Sequence, residues 1–179
     1  MQTTRRNALI GLALASSVPL ALASTRAFAQ DSGTPAQAGG NADYVTQTLT
    51  VGTLALQSSQ VAAEKASNEM VREFANLEVA EQTAVAQVLS STEAGKTPPE
   101  LPAEDAEKLT ALQDTEAGAT FDQAYIQMQI EGHQRLLEIQ QSISGGNEPT
   151  VEVITAKLAE QAITSHLAML NHINAQLGA

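Results

Sequence analysis

Phe74 to Val85 reads FANLEVAEQTAV, and the fold turns on how that stretch is wound. Advanced by about 100° per residue, it gathers Phe74, Leu77 and Val85 on one face, and the same winding adds Val88 and Leu89. No apolar-polar alternation competes with this helical reading. Glu78 and Glu81 fall in the middle of the apolar face. An unpaired carboxylate is costly to bury, so two of them on a core-facing side require partners from other elements.

Working outward, Asn41 or Asp43 can cap a first long helix running to about Ala66, with Val45, Leu49, Gly52, Leu56 and Ala63 on one face. The threonines of TQTLTVGT lean weakly towards strand, but no turn signal interrupts the segment. Ser67-Asn68 supplies a break and a cap, and the second long helix runs to about Thr92. STEAGKTPPELP ends it with Gly95, Pro98, Pro99 and Pro102. A short helix from Ala103 to about Gln113 follows, and TEAGAT breaks the chain again. The third long helix spans about Thr120 to Ser144 and stops at Gly145-Gly146. Pro149 sits near the first turn of a fourth that reaches about Leu177, a position where its missing N–H costs nothing. These spacings predict an all-α, antiparallel four-helix bundle over residues 42–179, with one short extra helix between the second and third long helices. Residues 30–41, QDSGTPAQAGGN, are small and polar and read as a disordered leader.

On the third long helix the inward arc holds Tyr125, Met128, Gly132, Leu136, Ile139 and Ile143, with Ile130 and Leu137 on its flank. Gln129, His133 and Gln140 lie near its middle, while Glu131, Gln134 and Glu138 point away. On the fourth, Val151, Ile154, Leu158, Ala162, Met169 and Ile173 form the expected inward arc. Ser165 falls within it, and His166 and His172 lie on its two edges. Glu78, Glu81, Gln129, His133, Ser165 and His166 all sit near helix midpoints, and the first helix offers Gln57 and Gln60 at similar depth. A bundle in register therefore brings carboxylates, imidazoles and amides into one interior layer.

Two readings of that layer stand side by side. It is a hydrogen-bonded network that sets helix register, or it is a metal site, with Glu78, Glu81, His133 and His166 as ligands for Fe, Mn or Zn. His166 and Met169, one turn apart, raise the further idea of copper, with Met128 contributing from the third helix. The pattern falls short of a di-iron signature, since no Glu-x-x-His occurs. No Gly-rich phosphate loop, nucleophile elbow or His-Glu-x-x-His element is present. A hydrolase using Glu78 and Glu81 as paired carboxylates is disfavoured, because neighbours on one helix face rarely straddle a substrate.

The chain opens MQTTRRNALIGLALASSVPLALASTRAFAQ. The pair Arg5-Arg6, a 16-residue apolar run from Ala8 to Ala23, and Ala27-Phe28-Ala29 resemble a cleavable signal peptide of twin-arginine type over residues 1–29, with a Sec signal as the alternative. The run is short of the roughly 20 residues a membrane span needs. The expectation is a periplasmic or secreted protein with no stable membrane insertion after cleavage. Cleavage leaves six basic against twenty acidic residues, a net charge of −14 that repels nucleic-acid backbones and anionic lipid. With no cysteine, neither disulfides nor thiolate chemistry are available.

Three stretches carry a family resemblance. FDQAYIQMQIEGHQRLLEIQ (Phe121–Gln140) closely resembles the third-helix signature of an exported bacterial family of unknown function, whose members are often labelled predicted outer membrane proteins. AAEKASNEMVREFANLEVAEQ (Ala62–Gln82) resembles its segment joining the first two helices, and AITSHLAML (Ala162–Leu170) its final helix with the histidine in place. The resemblance implies a ferritin-like bundle but no reaction. This chain has Glu81-Gln82 where the family usually has Asp-His, and Ala55 and Gln57 where acidic residues are common. The outer-membrane label fits poorly with a chain that shows no barrel strands and has no lipidation cysteine. Function is expected to be binding, of a metal or of a protein partner, rather than catalysis. The competing expectation is an envelope stress or structural protein whose polar layer only sets register, and a ferritin-like redox enzyme stands third.

Overall fold

The asparagine expected to restart the helix after the first turn does so: Asn68 Oδ1 accepts from the backbone N–H groups of Met70 and Val71 at 2.9 and 3.4 Å. In the computed structural model, which describes residues 35–178, five helices follow in order: α1 (Pro35–Lys65), α2 (Glu69–Leu89), α3 (Ala103–Asp114), α4 (Ala119–Ser144) and α5 (Val151–Leu177). No strand occurs among the described residues. The leader expectation is corrected in part, because α1 already begins at Pro35. Proline lacks only an N–H that the first helical turn leaves unpaired, so it can open a helix. Residues 30–34, the arginine pair, the apolar run and the cleavage site lie outside the described residues.

Other boundaries follow local chemistry. Thr150 caps α5 through its hydroxyl, which accepts from Val153 N–H at 3.3 Å. Gly118 precedes α4 at φ 143°, ψ −171°, a conformation that side chains avoid, which explains the glycine in TEAGAT.

Each long helix runs antiparallel to its neighbours. Tyr44 of α1 donates to Gln140 of α4 at 2.7 Å, and Ser59 of α1 meets Tyr125 of α4 at 2.8 Å. The pairing thus descends one helix as it climbs the other. α1 packs on α2 and α4, α4 packs on α5, and α2 meets α5 more sparingly. The connection from α2 to α4 is the one long crossover, and it carries α3. This is the ferritin-like arrangement, in which a single long link joins two antiparallel hairpins. α3 is held against α4 by Asp105 and Arg135 (3.5 Å) and buries Leu109 and Leu112.

The apolar interior is divided in two. One half contains Ala62, Val71, Phe74, Phe121, Tyr125, Ile126, Leu170 and Ile173. The other contains Tyr44, Val45, Leu49, Leu89, Leu136, Ile139 and Ile163. Buried polar residues Ser58, Ser59, Glu78, Gln82, Gln129, His133 and His166 belong to neither half and come from the helix middles.

The inward face expected for α5 is corrected. Val153, Ala156, Ile163, His166, Leu170 and Ile173 are buried, whereas Val151, Ile154, Leu158 (70 % exposed) and Met169 (40 %) face outward. Leu77 and Val88 of α2 are exposed as well. α5 is apolar around much of its circumference, so periodicity alone leaves two arcs in competition. Packing against α4 selects the one centred on His166.

Candidate metal centre

α2 places Glu78 at the seam of the bundle, fully buried. One turn on, Gln82 Nε2 donates to Glu78 Oε1 at 2.9 Å. Gln82 has room because Gly52 of α1 faces it; a Cβ there would lie 2.6 Å from Gln82 Oε1. Glu78 Oε2 accepts no hydrogen bond among the described residues.

α4 brings His133 to that oxygen. Its Nδ1 lies 2.8 Å from the Gln129 carbonyl, which can only accept, so Nδ1 carries the hydrogen. In the neutral ring the lone pair is then on Nε2, which points at Glu78 Oε2 across 3.4 Å. From α5, His166 Nδ1 lies 3.5 Å from the same oxygen and 3.3 Å from His133 Nε2. The three ligand-type atoms fall within 4.8 Å of one another. Phe74 packs against both imidazoles, with ring centroids 5.9 Å from His133 and 5.6 Å from His166.

Glu81 joins from one side. Its Oε2 is 3.4 Å from His166 Nε2, and its side chain is 25 % exposed. Glu81 therefore connects the buried centre to the surface through the second nitrogen of His166. Behind His133, Gln129 Nε2 donates to Ser58 Oγ at 2.9 Å, and Ser59 pairs with the Tyr125 hydroxyl.

The electrostatics differ between the two carboxylates. Burial pushes Glu78 up, but the adjacent His133 imidazole, the Gln82 hydrogen bond and the more distant His166 outweigh it, leaving the carboxyl below its ordinary range. Burial raises Glu81, and repulsion from Glu78 adds to it against the attraction of His166 and His133. Burial also drives Tyr125 far above the ordinary phenol value.

Carboxylate oxygen and imidazole lone pairs repel one another unless a ring N–H, such as one on His166 Nδ1, or a metal ion lies between them. The separations of 3.3, 3.4 and 3.5 Å exceed the usual N–H···O range. They match the edges of a tetrahedron whose centre-to-ligand bonds are about 2.1 Å, which is about 3.4 Å.

Of the candidate residues, Glu78, His133 and His166 are brought together and Glu81 adjoins them. Ser165 is not part of the layer: it is exposed, and its hydroxyl bonds back to Gln161 O. Gln60 is also exposed, and Ser58 and Ser59 occupy the α1 side instead of Gln57 and Gln60. Both nitrogens of His166 face carboxylates, and Met169 lies on an outer groove with His172, so the pairing of His166 with Met169 is not formed. Gln82 went unrecognised as a partner, although its spacing of four residues from Glu78 was a usable signal.

Fold and site together define a ferritin-like four-helix bundle with a buried Glu-His-His centre at mid-height. Residues 26–173 match the model of a domain of unknown function, DUF4142, and the chain belongs to that family. No curated protein matches the chain. Among solved structures, a DUF305 protein from Streptomyces coelicolor, described as secreted, shares the fold with TM-score 0.67 at 15 % identity, over 78 % of this chain and 93 % of that one. Among the described residues, no helix is long and apolar enough to cross a membrane.

Proposed function

We propose that this protein is an exported metal-binding bundle whose centre is formed by Glu78, His133 and His166, with Glu81 as an adjoining carboxylate. The observation that carries the reading is the orphaned Glu78 Oε2, fully buried and facing two imidazole nitrogens at ligand-edge spacing. A donor set of two imidazoles and a carboxylate suits Zn, Fe or Mn, and it lacks the thiolates that would favour softer ions. The Nδ1–H of His133 on the Gln129 carbonyl, and Gln82 on the other Glu78 oxygen, are the outer hydrogen bonds that orient ligands in such sites. Export is supported by the twin-arginine-like N-terminus, the acidic composition and the likeness to a protein described as secreted.

A second reading has its own support. The lowered Glu78 carboxyl suits an ion pair with protonated imidazole, a layer that fixes helix register without a ligand. Elemental analysis of protein purified without chelators separates the two. Near-stoichiometric Zn, Fe or Mn that is lost in Glu78→Gln and His133→Gln supports the metal centre. Metal-free protein that shows no thermal shift with any of these ions refutes it.

A further inference from the structure

The sequence has no cysteine and four methionines, so thioethers are its only soft donors. Met1 lies outside the described residues, and Met128 packs, as Met70 also does, against the Phe74–Phe121 half of the core. The remaining two, Met70 and Met169, line one groove between α2 and α5, together with His172, the single histidine that takes no part in the buried centre. Met169 and His172 are three residues apart on α5, so they share a face. Met70 and Glu73 have the same spacing on α2, and they line the same groove. The groove exists because α2 and α5 pack sparingly, and its volume is about 550 Å³.

We propose that Met70, Met169 and His172 form a second, soft metal site that binds Cu(I). Two neutral thioethers and an imidazole suit a monovalent, polarisable ion and match poorly the harder ions that carboxylate centres take. The walls favour the same choice. Phe74, Leu77, Ala168 and Ile173 are apolar, so a strongly hydrated ion gains little there in exchange for its water. Methionine side chains have three rotatable bonds and a polarisable sulfur, so they adapt to an irregular site. Glu73 at the rim offers a negative charge to an approaching cation. The Phe74 ring lines the groove and also packs on His133 and His166, so it separates this site from the buried centre. The two sites therefore use different residues and stand or fall independently.

The test is an anaerobic titration of the purified protein with Cu(I) against the colorimetric chelator bicinchoninate, paired with Ag(I) as a spectroscopically quiet substitute read through the methionine methyl resonances. The expected result is withdrawal of one Cu(I) per chain from the chelator, with the Met70 and Met169 methyl signals shifted and Met128 unmoved. Met70→Leu/Met169→Leu and His172→Gln should lose this binding, while Glu78→Gln keeps it. Leucine conserves volume at the methionine positions, and circular dichroism checks that the variants remain folded. Failure to draw Cu(I) from the chelator overturns the proposal. So does binding that survives the methionine double variant or is lost in Glu78→Gln.

Discussion

Glu78 Oε2 and His133 Nε2 lie 3.4 Å apart, both side chains being buried, and the hydrogen on His133 Nδ1 is directed away, to the Gln129 carbonyl. A neutral imidazole in that position presents lone pair to lone pair. The contact is relieved by a metal ion or by a hydrogen on one of the facing imidazole nitrogens, and each account of this protein depends on which of these is present.

Glu78→Gln distinguishes them by stability. If metal occupies the centre, chelator-treated wild type already lacks its cation, and the variant should unfold within about 1–2 kcal/mol of it. The metal-induced rise in Tm should vanish in the variant. If the layer is an ion-paired register device, the same substitution should cost about 3–5 kcal/mol without any metal present. Urea unfolding with and without chelator makes the comparison.

Gly52→Ala should affect the centre more than the fold. The new Cβ, 2.6 Å from Gln82 Oε1, displaces the end of a flexible side chain and breaks the Gln82 hydrogen bond to Glu78. Alanine gains about 1 kcal/mol of helix propensity over glycine, which roughly offsets that loss. Metal affinity, measured by chelator competition, should fall about 10–100-fold, as when an outer hydrogen bond to a ligand is removed.

Asp122→Ala should cost about 2–4 kcal/mol. Its carboxylate accepts the backbone N–H groups of Ser67 and Asn68 at 3.0 and 2.8 Å, tying the α1–α2 turn to the start of α4. Asp122→Asn retains one good acceptor and should lose about half as much. Thermal unfolding of both variants gives the comparison, and equal losses would show that the charge, not the acceptor geometry, is what holds the turn.

Both tyrosines are buried, and burial shifts both upwards, with Tyr44 pushed up to about 12 from an ordinary 10.0. A raised folded value means that the neutral phenol contributes stability below pH 10.0, and that this contribution is lost as pH climbs from there towards 12. Phenolate absorbance near 295 nm should therefore appear together with loss of helicity in a single alkaline transition. Ionisation near pH 10 with helicity intact would show that the hydroxyls are accessible.

The helix inventory was legible because its punctuation is local. Asn68 caps through its own side chain, Gly118 takes a backbone conformation that other residues avoid, and Pro149 stands just outside α5. Each effect acts within a few residues and needs no neighbour from elsewhere in the chain. His133, Gln129 and Gln140 were also placed correctly, because α4 has one clear apolar arc and they fall inside it. The Phe-Asp-x-x-Tyr stretch could be recognised as a resemblance, but its reason was hidden. Only the fold shows Phe121 and Tyr125 filling the core while Asp122 anchors a distant turn.

α5 marks the limit. With Val151, Ile154 and Leu158 on one arc and Val153, Ile163 and Leu170 on another, its sequence supports two burial faces of similar apolar weight. Contact with α4 chose between them, turning His166 inward to Glu78 and leaving Met169 and His172 on the groove. The sequence by itself determined five helices, their order and the presence of polar groups at mid-height, because propensity, capping and chain breaks are local energies. Tertiary structure decided which of those groups meet, because a helix's rotation about its axis is set by the surfaces that pack against it.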